Sequence, residues 1–385
     1  MRRKLFPFVC LLVGIYVGLG LMLRAADHQK RASETADQLR ATLALQETPL
    51  FAAATQNNVA EVERLLKAGA DPNETDRGLR TPLLTAAREG NLAVVNLLIA
   101  AGAHIDAQDR TGSTALLYAI KTDRNPAVTA CLLAHGADAG HKDHAGETPL
   151  LMACDNADTD LLEALLFHGA DVNVADRLGL TPLMRIARGI LRERYKRNTT
   201  IEPGLLRQSA MELLLRHGAD IQKQDLQGWT ALLYASENEP SEGVKVLLQH
   251  GADPNISVKG RTPLRNAAYR GLVGNLQALL DGGAKGSPEI FSDALMQAAL
   301  TGHDAAVLFL LNHGADANYC DQYGVTPLML AISNDHLSTG RALVQHGASA
   351  RVHDLLGKTA MDYAPSGRAN AVRNEVFADV RIRRF

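Results

Sequence analysis

The sequence predicts an all-α repeat solenoid, a stack of short helix pairs. Two markers, a threonine and a loop glycine, return at steps of about 33 residues from Glu47 onward, a period typical of stacked repeats. Hydrophobic residues make up 46% of the chain and aromatic residues only 4%, which suits repeats that bury small apolar faces only against their neighbours. The recurring threonines are Thr48, Thr81, Thr114, Thr148, Thr181, Thr230, Thr262, Thr326 and Thr359.

Each repeat is predicted to begin with a helix that the threonine caps. Thr81 is followed by Pro82, an order typical of a helix start. The threonine side chain accepts a hydrogen bond from a free backbone N–H, and proline has no N–H to satisfy. Leu83, Ala86 and Ala87 follow at helical spacing, so we expect them to face the neighbouring repeat.

The second helix of the same repeat is predicted over residues 92–101. It ends at Gly102, because glycine readily adopts the left-handed conformation that follows many helices. A turn of the form Asp-x-x-Gly then leads into the next threonine. The apolar residues that this helix supplies are Val94, Val95, Leu97 and Leu98.

Together the Thr-Pro-Leu starts and the Gly-Ala-Asp loops resemble ankyrin repeats, over roughly 340 of the 385 residues. The resemblance implies an ankyrin-repeat stack of helix pairs with β-turn fingers. We expect about ten repeats over 47–364. The eighth, 292–324, is degenerate, because residues 293–295 read Asp-Ala-Leu in place of Thr-Pro-Leu. The last repeat carries Pro365 inside its first helix, so 365–385 is interpreted as a C-terminal cap and basic tail.

Residues 5–23 are predicted to form one transmembrane helix that precedes the repeats. This nineteen-residue stretch carries no charge and follows Arg2, Arg3 and Lys4. Its length is enough to cross a bilayer and exceeds the usual apolar region of a signal peptide. A good cleavage motif is lacking, so an uncleaved signal anchor is favoured, with a removed signal peptide as the alternative.

The short basic head, 1–4, is expected to stay in the cytoplasm, which places the repeats on the extracytoplasmic side, the periplasm in a bacterium. Arg24, Lys30 and Arg31 lie on the other side of the apolar stretch. They reduce the charge difference on which this predicted orientation depends. Residues 24–46 are predicted to form a helical stalk or linker. Gly14 and Gly18 have the spacing that lets two membrane helices associate, an anchor-mediated self-association.

No catalytic, cofactor-binding or metal-binding motif is found, so the sequence does not predict an enzyme. Six histidines precede loop glycines and are interpreted as donors to helix carbonyls rather than metal ligands. Cysteine spacing indicates no disulfide framework, although a bridge between Cys131 and Cys154 is conceivable. The net charge of -2 does not favour nucleic acid as a partner.

The resemblance implies that a partner protein is held by the turn tips and by the first helices, which line a concave groove. Exposed aromatic residues at such positions are typical interface anchors. The alternative is that the tyrosines cover the joints between repeats. The partner-binding candidates are Tyr118, Leu178, Leu226, Trp229, Tyr234, Tyr269, Tyr323 and Tyr363.

The fifth repeat is longer than the others by about sixteen residues, with the insertion near 188–204. Inserted segments on a solenoid often lie at a binding face, and this one is basic. A solvated surface loop is the alternative. Its cations are Arg192, Arg194, Lys196 and Arg197.

The sequence thus predicts a membrane-anchored protein that scaffolds or regulates another protein through its groove and turn tips. The alternative is a soluble exported protein, with its signal removed, that acts as an effector or as an enzyme inhibitor.

Overall fold

The computed structural model describes residues 48–122, 125–189, 203–284 and 288–378, which form helices and turns without a β-strand. The head, the transmembrane segment and the stalk expected before the repeats lie outside these residues. Within the described ranges, no helix combines the length and the apolar character needed to span a membrane. The chain divides into two compact units, Met1–Gly136 and Ala137–Phe385.

In the first unit, the described residues form three helix pairs. Within it the first helices of successive repeats pack on one another, and the second helices do the same. The helices are α1 (Pro49–Thr55), α2 (Val59–Lys67), α3 (Pro82–Glu89), α4 (Leu92–Ala100), α5 (Ala115–Thr122) and α6 (Pro126–Ala134).

The second unit repeats this arrangement and ends in a 3-10 helix, Ala360–Tyr363, and a short helical segment at 369–376. The paired helices are α7 (Pro149–Cys154), α8 (Thr159–Phe167), α9 (Pro182–Ala187), α10 (Pro203–Arg216), α11 (Ala231–Ser236), α12 (Glu242–Gln249), α13 (Pro263–Tyr269), α14 (Val273–Asp281), α15 (Pro288–Thr301), α16 (Asp304–Asn312), α17 (Pro327–Ser333) and α18 (Leu337–Gln345).

Eight of the nine predicted threonine caps are present, and the exception is Thr359, whose hydroxyl accepts no hydrogen bond from its helix. The Thr81 hydroxyl oxygen accepts a hydrogen bond from the backbone N–H of Leu84 at 3.3 Å. The same bond fixes the start of a first helix in seven other repeats, because each places a threonine just before the helix. The other capping threonines are Thr48, Thr114, Thr148, Thr181, Thr230, Thr262 and Thr326.

Two repeats do not begin with a threonine-capped α-helix. In the eighth, which lacks the threonine, helix α15 begins early at Pro288 and reaches fourteen residues. In the last, the placement of Pro365 inside a helix was wrong. The 3-10 helix ends at Tyr363, and Ala364 is extended at φ -61°, ψ 129°, the conformation that a residue before proline prefers.

Five of the six histidines before the loop glycines hydrogen-bond the end of a second helix. His135 Nδ1 donates a hydrogen bond of 2.8 Å to the carbonyl of Cys131, four residues earlier. That carbonyl also accepts the backbone N–H of His135 at 3.1 Å, so the imidazole adds a second hydrogen bond at the end of the helix. His168, His250, His313 and His346 make the same contact. Cys131 and Cys154 are both free thiols.

Candidate partner-binding groove

Tyrosines at one position of the first helix hold the turn of their own repeat. Tyr118 donates a hydrogen bond of 2.6 Å to Asp109, which lies nine residues earlier. Tyr234 makes the same bond to Asp225, and Tyr363 bonds Asp354 in the same way. Burial and then the bond to Asp109 raise the pKa of Tyr118 to about 12. These phenol groups therefore order the turns of their repeats.

The turn of the sixth repeat is held by several such contacts. Asp225 Oδ1 accepts backbone hydrogen bonds from Gln227 and Trp229, both at 2.8 Å, while Oδ2 accepts from Tyr234. The indole of Trp229 lies 4.9 Å from the Tyr234 ring, measured between centroids. The guanidinium of Arg261 lies 5.4 Å from the indole centroid. Both aromatic rings are thus held in place before any partner arrives.

This aromatic pair lines a groove of about 460 Å³ in the second unit. The tips of two adjacent turns form its edge, because the backbone N–H of Leu226 donates to the carbonyl of Leu178 at 3.1 Å. Leu178 and Leu226 are 60% and 78% exposed. Four of the predicted partner-binding residues are therefore brought together here.

Charged groups also line the groove. The Arg188 guanidinium lies 6.0 Å from the centroid of the Tyr234 ring, and Arg270 donates to the backbone carbonyl of Glu237. Burial raises the pKa of Glu237, although Arg261 and Arg270 both oppose that shift. The groove therefore combines apolar and aromatic side chains with hydrogen-bond donors.

The other predicted residues lie apart from this groove. Tyr118 belongs to the first unit and Tyr363 to the last repeat. Tyr269 lines a second cavity, of about 210 Å³, which shares Glu237 with the groove. Tyr323 is 62% exposed at a turn tip, where its carbonyl accepts from the N–H of Leu355. The predicted set thus divides between one groove and several separate positions.

Sequence reasoning missed Arg188 and Arg270 as groove residues. The repeat register could have identified the first, because Arg188 follows Thr181 by seven positions, as Tyr269 follows Thr262. No comparable signal marked Arg270. The basic residues of the insertion, Arg192, Arg194, Lys196 and Arg197, lie outside the described residues.

Several curated proteins resemble parts of this chain. Mask-1 of Caenorhabditis elegans, an ankyrin repeat and KH domain-containing protein, is 36% identical over 130 residues, which are 32% of this chain and 5% of the relative. The B-cell lymphoma 3 protein homolog of Mus musculus is 34% identical over 133 residues, 32% of this chain and 30% of that protein. A putative ankyrin repeat-containing protein of Treponema pallidum is 34% identical over 128 residues. The match covers 31% of this chain and 42% of the treponemal protein, so each of these relatives is matched over less than half its length.

A solved structure shows the same fold. The ankyrin repeat domain of human ASB11 aligns with a TM-score of 0.52 at 23% identity, covering 63% of this chain and all of that domain. The family model for ankyrin repeats matches residues 21–109, 50–143, 84–176, 206–289 and 295–374, which is most of the chain. The capped helix pairs and the Gly-Ala-Asp loops account for that match in physical terms. This chain belongs to the ankyrin-repeat family.

Proposed function

We propose that this chain binds another protein through the groove of the second unit and thereby scaffolds or regulates it. Ankyrin repeats mediate protein–protein interactions, and the fold is typically a non-enzymatic scaffold. The observation that carries the proposal is the groove of about 460 Å³, where the Trp229–Tyr234 pair lies beside the exposed tips Leu178 and Leu226. Apolar groups that lose water only on binding are typical anchors of an interface.

The arrangement of the anchor residues favours tight binding. Trp229 is fixed between the Tyr234 ring and the Arg261 guanidinium, and its backbone N–H is bonded to Asp225. A side chain that is already ordered loses little conformational entropy when a partner docks. The entropy loss on binding is therefore small for this part of the groove.

A photo-crosslinking residue at Gln227, which lines the groove, is expected to form a covalent adduct with the partner in intact cells of the source organism. Adding Trp229→Ala and Tyr269→Ala should remove that adduct, because both changes delete aromatic surface at or beside the groove. These two substitutions leave the bond between Tyr234 and Asp225 in place, so the repeats should stay folded, as circular dichroism would show. A triple variant in which Tyr234 is also replaced by alanine should likewise form no adduct with the partner.

The matched control places the same crosslinker at Lys245, an exposed residue of the second helix α12. That position is expected to give no specific adduct. Equal capture from both positions, or an adduct at Gln227 that survives the two aromatic substitutions, would show that the partner binds elsewhere.

A second proposal concerns the location of the protein. We propose that residues 5–23 anchor the chain in a membrane and hold the repeats on the extracytoplasmic side. It is supported by the sequence alone, through the nineteen uncharged residues that follow a basic head. The spacing of Gly14 and Gly18 supports association of two such anchors.

Alkaline extraction of membranes tests the anchor. The chain is expected to stay in the membrane pellet, because a spanning helix resists removal at high pH whereas a peripheral protein does not. The substitution Leu12→Arg places a charge within the apolar stretch and should release the chain. Release of the unmodified chain would instead support the exported, soluble form that acts as an effector or inhibitor.

A further inference from the structure

The turn of the seventh repeat lacks the carboxylate that orders the turn of the sixth. The stretch from Gly251 to Thr262 is one residue shorter than the equivalent stretch from Gly218 to Thr230. Residues 256–261, which form the shorter turn, include neither aspartate nor glutamate. In this repeat, therefore, no turn carboxylate is available to the first helix.

Asn266 has an unpaired amide nitrogen at the corresponding place. It follows Thr262 by four positions, just as Tyr234, the residue bonded to Asp225, follows Thr230. Only 4% of Asn266 is exposed. Among the described residues its Nδ2 atom has no hydrogen-bond partner. A buried donor without an acceptor is destabilising, so the site gains when an acceptor is supplied.

Asn266 lines the cavity of about 210 Å³ beside the groove, together with two arginines. Arg261 lies 3.8 Å from Glu237, and Arg265 lies 3.6 Å from Asp293. Both separations are too long for hydrogen bonds. Arg265 Nη1 donates a hydrogen bond of 2.8 Å to the backbone carbonyl of Gly260. The remaining N–H groups of the two arginines are available to an acceptor in the cavity.

The groove next to this cavity is also lined by two arginines, Arg188 and Arg270. The Arg188 guanidinium lies over the Tyr234 ring, and Arg270 donates to the backbone carbonyl of Glu237. Asp225, the carboxylate bonded to Tyr234, already accepts three hydrogen bonds. Glu237 lines both spaces and so makes them neighbours. A ligand that supplies acceptor oxygens fits this surface better than one that supplies donors.

We propose that the cavity beside Asn266 receives an aspartate or glutamate side chain of the bound partner protein, which takes the place of the turn carboxylate that this repeat lacks. The carboxylate accepts from Asn266 Nδ2 and from the guanidinium groups of Arg261 and Arg265. A neighbouring apolar residue of the same partner segment packs on Trp229. This inference rests on the proposed function, because it names what the groove recognises.

The probe is a library of random peptides displayed on phage, selected against the purified full chain. Selected peptides are expected to carry an acidic residue beside an apolar one. Changing that acidic residue to its amide in a synthetic peptide should weaken binding about tenfold, the loss typical of a hydrogen bond to a charged group. Fluorescence anisotropy with the labelled peptide measures the dissociation constant.

A charge exchange gives the sharper test. Asn266→Asp should make the chain bind the amide peptide more tightly than the acidic one. The new carboxylate repels the acidic peptide and accepts a hydrogen bond from the side-chain amide of the other. Arg261→Gln, a change at a half-exposed side chain, should reduce the preference for the acidic peptide without reversing it. This second variant provides the test if Asn266→Asp fails to fold.

The outcomes separate the two proposals. Suppose that the selected peptides bind the unmodified chain, lose their affinity with Trp229→Ala, and bind equally well with or without an acidic residue. That result would overturn the carboxylate site and leave the groove as the binding surface. Peptides whose affinity is unchanged by Trp229→Ala, or a selection that yields no binder, would overturn both. An acidic preference that neither Asn266→Asp nor Arg261→Gln alters would place the carboxylate at another site and overturn this inference.

Discussion

Replacing Arg185 with alanine is expected to lower the free energy of unfolding by about 3 kcal/mol. Its side chain is only 14% exposed. It donates two hydrogen bonds to Glu147, at 2.5 and 2.8 Å, and one of 2.9 Å to Asp176. Asp155 lies 3.6 Å away. Alanine leaves these carboxylates close together without their cation, so repulsion adds to the lost hydrogen bonds.

Denaturation by guanidinium chloride measures this effect. The control is Arg64→Ala, because the Arg64 side chain is 65% exposed and pairs with Glu61 on the surface of α2. That change should lower the free energy of unfolding much less, because water screens an ion pair on the surface. Equal effects of the two substitutions would contradict a central role for Arg185 in joining the fourth and fifth repeats.

The stabilisation by Arg185 is expected to depend on pH. Burial raises the pKa of Asp176, but hydrogen bonds from Arg185, Leu180 and Leu178 outweigh it and hold that pKa below its usual value. A lowered folded-state pKa contributes stability above the unfolded-state pKa of about 3.9, and this is lost as the pH falls through the folded-state pKa. The difference between wild type and Arg185→Ala should therefore shrink below about pH 4.

Most of the frame could be predicted from the sequence, because each part depends on local chemistry. A threonine before a proline is enough to cap a helix, and Thr81 does so. A histidine before the loop glycine reaches the carbonyl four residues earlier, as His135 does. Neither contact depends on how distant parts of the chain are arranged.

The roles of the tyrosines depend on more than the repeat pattern. The sequence indicated that Tyr118 and Tyr234 face a partner, with the covering of joints as the alternative. The structure shows that each phenol bonds the aspartate of its own turn. A spacing of nine residues is visible in the sequence, but the fold decides whether the two side chains meet. The unpaired amide of Asn266 likewise depends on which side chains the fold brings within reach.

Replacing Gly179 with alanine is the second large effect that we expect, about 3 kcal/mol of lost stability together with weaker partner binding. Gly179 has φ +82°, where a side chain costs about 1–2 kcal/mol. An added Cβ would also lie 2.9 Å from the backbone nitrogen of Leu226 and 3.1 Å from Cα of Asp225. Backbone atoms cannot rotate away, so the turns must separate and lose the bond between Leu226 and Leu178.

Gly251→Ala separates the cost of the backbone conformation from the cost of that contact. Gly251 has a similar φ of +89°, but an added Cβ would meet no atom within 4 Å. Its substitution should therefore cost only about 1–2 kcal/mol and leave the groove intact. Chemical denaturation measures the loss of stability in each variant. The affinity of each variant for the selected peptides shows whether its groove is intact. If Gly179→Ala bound the selected peptides as tightly as Gly251→Ala does, the alignment of Leu178 with Leu226 could not be part of the binding surface.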